Sequence, residues 1–214
     1  MSRTLLELNN VTAAYDKKIV LRETTLSIAP NESIIISGPN GGGKTTLLKL
    51  LAGLIEPKEG KITRQGGLIT GYLPQYRGID RDFPITVEET VLSGLNCRKS
   101  ILQSFSKAHR EQVALLLESF QLSELAQRPI NSLSGGQWQR TLIARSLAGN
   151  PDLWLLDEPD THLDTDSMDY LHKKITDESG KRAIVVVTHN PEHLIHIPNR
   201  RIFHVENHKV EEII

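Results

Sequence analysis

The sequence has 214 residues, room for one generous α/β domain or one domain with a small subdomain packed on it, and too few for two full enzymatic domains. Its 25 Lys and Arg against 26 Asp and Glu leave a net charge of -1, which removes any bulk electrostatic reason to bind nucleic acid or anionic lipid, and 38% hydrophobic with 24% charged residues is far from disordered compositions. A single cysteine, Cys97, excludes an internal disulfide, and with no signal-like start and no apolar run of about 18 residues the expectation is an intracellular chain without a membrane span.

Residues 4–8 and 19–28 alternate apolar and polar side chains and predict antiparallel strands. Residues 33–37, Ser-Ile-Ile-Ile-Ser, form a β-branched apolar run that suits a parallel strand buried on both faces. Glycines then break the run, and Leu47, Leu50, Leu51 and Leu54 mark one face of a helix that Gly53 and Pro57 bring to an end. A loop-rich stretch past Gln75 leads into helical periodicity, clearest at Val113, Leu116, Leu117 and Phe120, so residues 78–139 read as a mainly helical insert. Two further buried-strand runs, 153–156 and 183–187, follow with helical stretches expected between and after them. Strands alternating with helices predict a mostly parallel sheet.

The first break carries chemistry. Gly38-Pro39-Asn40-Gly41-Gly42-Gly43-Lys44-Thr45 satisfies G-x-x-x-x-G-K-[ST] between a buried strand and a helix, the setting that the phosphate-binding loop requires. Glycines let successive amide N–H groups curl inward at phosphate oxygens, and the helix start adds its positive dipole end. Lys44 would reach the β- and γ-phosphates, and the Thr45 hydroxyl is a hard oxygen donor for Mg²⁺. At the end of the 153–156 run, Asp157 is placed to hold that metal and Glu158 to polarise an attacking water. Alone, the pair would equally suit an acidic turn before Pro159.

Leu133-Ser134-Gly135-Gly136-Gln137 stands between these two, and Ser134-x-x-Gln137 has the form of a capping box opening a helix. With phosphate loop, signature and Asp157-Glu158 in this order, nearly the whole chain resembles the ABC ATPase family. The resemblance implies a P-loop NTPase fold of the α/β class, a single domain over 1–214. Its RecA-like parallel-sheet core and N-terminal antiparallel β subdomain would occupy 1–77 and 140–214, and a helical subdomain 78–139. It implies ATP and Mg²⁺ as ligands, bound by Gly38 to Thr46 (Gly38, Pro39, Asn40, Gly41, Gly42, Gly43, Lys44, Thr45, Thr46), with Tyr15 on the adenine. Thr45, Gln75 and Asp157 match the family's Mg²⁺ residues, and Lys44, Glu158, Gln75 and the switch histidine His189 its catalytic ones. Tyr15 would also suit an exposed hairpin tyrosine.

The resemblance further implies a head-to-tail homodimer in the presence of ATP. Leu133 to Gln137 would then contact the nucleotide of the second copy, and Asp164 would lie on the loop that crosses between copies. Gly42 where Ala or Ser is commoner, and Thr45 for Ser, look harmless; Trp138 after the signature and Thr161-His162 before Asp164 are departures with no account in the sequence, and tuning of the dimer interface is one reading of both.

About 60 residues between Gln75 and the signature leave no space for the coiled-coil arms of DNA-repair relatives, and one cassette differs from two-cassette relatives. The arrangement resembles a bacterial importer's ATP-binding subunit. It implies integral membrane permease subunits as partners, an extracytoplasmic solute-binding protein reached through them, no nucleic acid, and a peripheral place on the cytoplasmic face of the inner membrane. The compact segment between Lys44 and Gln75 and the Phe83-Pro84-Ile85-Thr86-Val87 phrase resemble the zinc, manganese and iron branch. The second reading is an ABC ATPase that remodels a soluble assembly, as in iron–sulfur cluster biogenesis. His193, His196, His204 and His208 fit no ligand spacing and read as solvated or structural.

Overall fold

The computed structural model describes residues 4–16, 18–75, 81–95, 105–161, 163 and 165–213. Asp164, with its expected crossing role, lies outside them, as do His162 and Cys97.

Strands β1 (Leu6–Tyr15) and β2 (Lys18–Ile28) pair antiparallel, and β4 (Glu59–Arg64) adds to the other edge of β1. Strand β1 runs well beyond residue 8, through the polar pair Asn9-Asn10. Register shifts between Leu8 and Ala14, with Asn10 at φ 52°, break the apolar alternation there, so the second half of the strand has no clean period in the sequence.

The main sheet has the order β5-β6-β7-β3-β8-β9, where β3 is Ser33–Ser37, β5 Thr70–Leu73, β6 Leu153–Asp157, β7 Ala183–Val187, β8 Arg200–Glu206 and β9 Lys209–Glu212. All neighbours are parallel except β8 and β9. Because a strand sends successive side chains to opposite faces, β3, β6 and β7 divide their apolar runs between two cores. Ile34, Ile36, Leu153, Leu155, Val185 and Val187 pack toward the antiparallel sheet and helix α1 (Lys44–Ala52). Ile35, Trp154, Leu156, Ile184 and Val186 pack toward α2 (Val87–Ser93), α3 (Lys107–Ser119), α4 (Gly135–Leu147) and α5 (Thr165–Glu178). Strands buried on both faces must be apolar over their central residues, as Ile34–Ile36, Leu153–Leu156 and Ala183–Val187 are.

Two expectations change. Helix α1 stops at Gly53, whose φ of 72° closes it, so Leu54 falls outside the helix and is 59% exposed rather than part of its buried face. After β7 the chain forms a 3₁₀ turn, Pro191–Leu194, and then the β8–β9 hairpin instead of helix. Ile202, Phe203 and Val205 are buried because β8 pairs with β3, a contact 167 positions distant that local periodicity cannot announce.

Candidate active site

Parallel strands bring their C-terminal ends to one edge, and side chains just past those ends meet in one cleft. Register places Leu73 beside Leu156, Asp157 beside Val187, and Val187 beside Ile36. Gln75, Glu158, His189 and the glycine-rich loop, each within two residues of a strand end, therefore converge. A cavity of about 510 Å³ is lined by Asn40, Gly41, Gly43, Lys44, Thr45, Thr46, Gln75, Glu158 and His189, with Val20, which the sequence did not single out, and Thr161, which it marked only as a departure beside His162.

The loop's shape depends on two glycines in particular. Gly38 has φ 139°, and a Cβ there would come 2.2 Å from the Val205 carbonyl oxygen. Gly43, at φ 113°, is the N-cap of α1, and its Cβ would meet Leu21 at 2.8 Å. Both positions combine a left-handed backbone with close packing, so only glycine fits. Lys44 is 5% exposed, and its ammonium donates to the carbonyls of Gly38 (2.8 Å) and Pro39 (3.0 Å), folded back across the loop. Burial lowers its pKa, while Glu158 and Asp157 oppose that shift by stabilising the charge.

Asp157 is 1% exposed. The Thr45 hydroxyl donates to its Oδ1 at 3.2 Å and the Tyr72 hydroxyl approaches Oδ2 at 3.4 Å. Burial raises the Asp157 pKa, and both hydroxyls work against that rise. Tyr72 is itself shifted well upward by burial and by the neighbouring carboxylate.

Glu158 has its carboxylate spanned by two donors. Gln75 Nε2 donates to Oε2 at 2.6 Å, and His189 Nε2 lies 3.1 Å from Oε1, so that ring nitrogen carries the proton if it donates. The backbone of Glu158 sits at φ 48°, and its N–H donates to the Val187 carbonyl at 3.0 Å. A non-glycine residue there costs about 1–3 kcal/mol, a strain that collects at functional turns. Two further side chains hold the surrounding loops. Thr188 donates to Asp160 Oδ2 at 2.8 Å, which fixes the turn bearing His189, and buried Gln139 donates to the Pro159 carbonyl at 2.7 Å, which ties α4 to the Glu158 turn.

Leu133 to Gln137 do not line this cleft. Ser134 caps α4 with a reciprocal box: Gln137 N–H donates to the Ser134 hydroxyl at 3.3 Å and Ser134 N–H to Gln137 Oε1 at 2.9 Å. Ser134 and Gly135 are exposed, so a positive helix end faces outward. Trp138 is 1% exposed within the core, which removes it from any interface with a second copy. Tyr15, at the end of β1, is 45% exposed and outside the cavity lining.

The cleft's donor set fits a nucleotide-borne Mg²⁺. Among the described residues no group of three His, Cys, Asp or Glu side chains could hold a metal ion by itself. Mg²⁺ needs none, since it binds through one or two protein oxygens plus phosphates and water, and Thr45 and Asp157 present two such oxygens at the phosphate loop.

Comparison with known proteins agrees with this geometry. The ABC transporter family profile matches residues 21–161. The zinc import ATP-binding protein ZnuC of Hydrogenovibrio crunogenus is 36% identical over 190 residues, covering 87% of this chain and 73% of the relative. The manganese transport system ATP-binding protein MntB of Bacillus subtilis is 36% identical over 190 residues, covering 86% and 76%. Among solved structures, an ABC transporter of metal-chelate type in an inward-facing conformation superposes with a TM-score of 0.87 at 28% identity, covering 99% of this chain and 83% of the other. An ATP-binding cassette in a dimeric post-hydrolysis state with ADP and Pi superposes at 0.81 with 28% identity, covering 97% of each. With a buried parallel sheet, a glycine loop closed by Lys44, and paired carboxylates at the adjoining strand end, the chain belongs to the ABC transporter family as one of its ATP-hydrolysing subunits.

Proposed function

We propose that this chain powers import of a transition-metal ion, with zinc and manganese first in order, through a separate membrane permease fed by a solute-binding protein. The observation that carries the ATPase half is the Glu158 carboxylate, bridged by Gln75 and His189 at the mouth of the phosphate loop. The import half rests on the likeness to the zinc and manganese subunits over most of the chain. No helix among the described residues is long and apolar enough to cross a membrane, which fits a subunit held at the cytoplasmic face by its permease.

In this reading the amide groups of Gly41 to Thr46 cradle the phosphates of ATP, and Lys44 exchanges its two loop carbonyls for β- and γ-phosphate oxygens. Tyr15 lies against the adenine. Thr45 and Asp157 would hold Mg²⁺, with the Gln75 carbonyl oxygen completing the protein's share, and the metal when bound supplies charge neutralisation across the phosphates. Glu158 orients a water and accepts its proton as the water oxygen attacks the γ-phosphorus. The bond to the bridging oxygen breaks, leaving ADP and inorganic phosphate. His189 and Gln75 fix the carboxylate's rotamer and sense whether the γ-phosphate is present.

Two copies pair head to tail, so that Ser134 and the exposed end of α4 in one copy meet the nucleotide of the other, with Asp164 on the crossing loop. ATP stabilises the closed pair by contacts absent from the open one, and hydrolysis removes them. The test is reconstitution with the candidate permease in proteoliposomes. ATP-dependent uptake of zinc or manganese that disappears with Glu158→Gln supports the reading. Copurification with a soluble assembly instead of a membrane protein would overturn it.

A further inference from the structure

Trp138, the departure that follows the signature, finds its partner in Arg81. The guanidinium carbon of Arg81 lies 5.9 Å from the Trp138 ring centroid, and Trp138 is itself fully enclosed. One arm of the same guanidinium, Nη2, donates to the Ile130 carbonyl at 3.2 Å and, in a shorter bond, to the Leu133 carbonyl. Those two carbonyls bracket the 3₁₀ turn Ile130–Ser132, which Leu133 N–H closes by donating to Ile130 at 3.3 Å. Arg81 thus grips the residue before Ser134 through its carbonyl and the residue after Gln137 through its ring. A planar cation with a fork of donors suits both tasks at once, and lysine would serve only the first.

We propose that Arg81 is a positioning residue for the signature: it locks the turn ahead of Ser134 to the first turn of α4, and so fixes the angle at which Ser134 and Gly135 face the nucleotide of a second copy. The inference rests on the head-to-tail reading above. Arg81 is not among the residues that line the cleft of its own copy, so its effect should fall on the shared site rather than on nucleotide binding by a single copy. Arg81 follows Gln75 by six positions, so one short run of sequence serves the cleft of its own copy at one end and the loop offered to the other copy at its far end.

The experiment uses the full chain in the Glu158→Gln background, with ATP titrated and dimer followed by analytical ultracentrifugation. Replacing Arg81 by Ala removes charge-assisted hydrogen bonds and should raise the ATP concentration for half-dimerisation by about tenfold to a hundredfold. ATP affinity of the monomer should stay unchanged, and amide exchange at Ser134 to Trp138 in the monomer should quicken. Arg81→Lys should recover part of the dimer, because one donor to the carbonyls survives. Dimerisation of Arg81→Ala at unaltered ATP, or unaltered exchange at Ser134 to Trp138, would overturn the proposal. So would an equal loss of monomer ATP affinity, the mark of a residue that only supports folding. If Glu158→Gln alone forms no ATP-held dimer, the head-to-tail reading itself fails, a result distinguishable from all of these.

Discussion

Substituting Glu158 by Gln separates binding from hydrolysis most sharply, because the change keeps the side chain's shape and alters only its charge and its hydrogen-bonding ends. The carboxylate accepts from Gln75 on one oxygen and lies against His189 Nε2 on the other. An amide has one accepting oxygen, so it can keep one of those two donors and must turn its own NH₂ toward the other. That forfeits one charge-assisted bond, about 1.5–3 kcal/mol, in the arrangement that orients the water. Removing the base itself costs about 10²- to 10⁴-fold in rate. The phosphate loop, Lys44 and Thr45 are untouched, so ATP affinity should hold and an ATP-bound dimer should accumulate. Phosphate release at saturating ATP, paired with size-exclusion chromatography in ATP and in ADP, reads both outcomes. Turnover within about tenfold of the parent would refute Glu158 as the base, and loss of ATP binding would refute the separation of roles drawn from the geometry.

Gly38→Ala places a Cβ 2.2 Å from the Val205 oxygen at a φ of 139°, so calorimetry should find ATP binding abolished and a scan should show a lowered melting temperature. Trp138→Ala empties a site with 1% exposure and should cost about 3–5 kcal/mol by denaturant titration, far more than an interface residue would. Asp157→Asn should stabilise the nucleotide-free chain near neutral pH. Burial raises the Asp157 pKa above that of the unfolded chain, so between the two values the native state binds more protons, and stability falls as pH rises through that window. The variant lacks this slope. Melting curves of both proteins from acid to neutral pH should therefore diverge upward with pH, and parallel curves would show that the buried carboxylate carries no such cost.

The site was more legible in the sequence than the fold around it, for a physical reason. Phosphate binding needs backbone N–H groups at fixed spacing, so Gly38 to Thr45 had to be consecutive, and a cap must have Ser134 and Gln137 three apart. Buried parallel strands must be apolar on both faces, which exposed β3, β6 and β7. The β8–β9 hairpin and β4 escaped because their partners are remote: β8 pairs with β3 and interrupts its buried Ile202, Phe203 and Val205 with half-buried Arg200, Arg201 and His204, and β4 buries none. Tyr72, Gln139 and Thr188 were silent for a related reason. Each acts through one hydrogen bond to a residue 85, 20 or 28 positions away, and no local pattern encodes such a distance.

Asp157 and Glu158 are adjacent, and a strand's alternation would send neighbours to opposite faces of the sheet. The structure avoids this by ending β6 at Asp157 and turning the next residue to φ 48°. Asp157, enclosed at 1% exposure, looks along the strand toward the Thr45 and Tyr72 hydroxyls. Glu158, its side chain 10% exposed, swings to Gln75 and His189 at the cleft's mouth. Two carboxylates of like chemistry thus acquire different surroundings from a single backbone torsion. The enclosed one has hydroxyl neighbours and little access for a free water, as a metal-holding oxygen requires. The other has amide and imidazole neighbours and an open side, as a base for water requires. In the proposed reading the strain at Glu158 is therefore part of the site: relaxing that torsion to an ordinary strand value would carry the carboxylate away from Gln75 and His189, and with it the group proposed as the base.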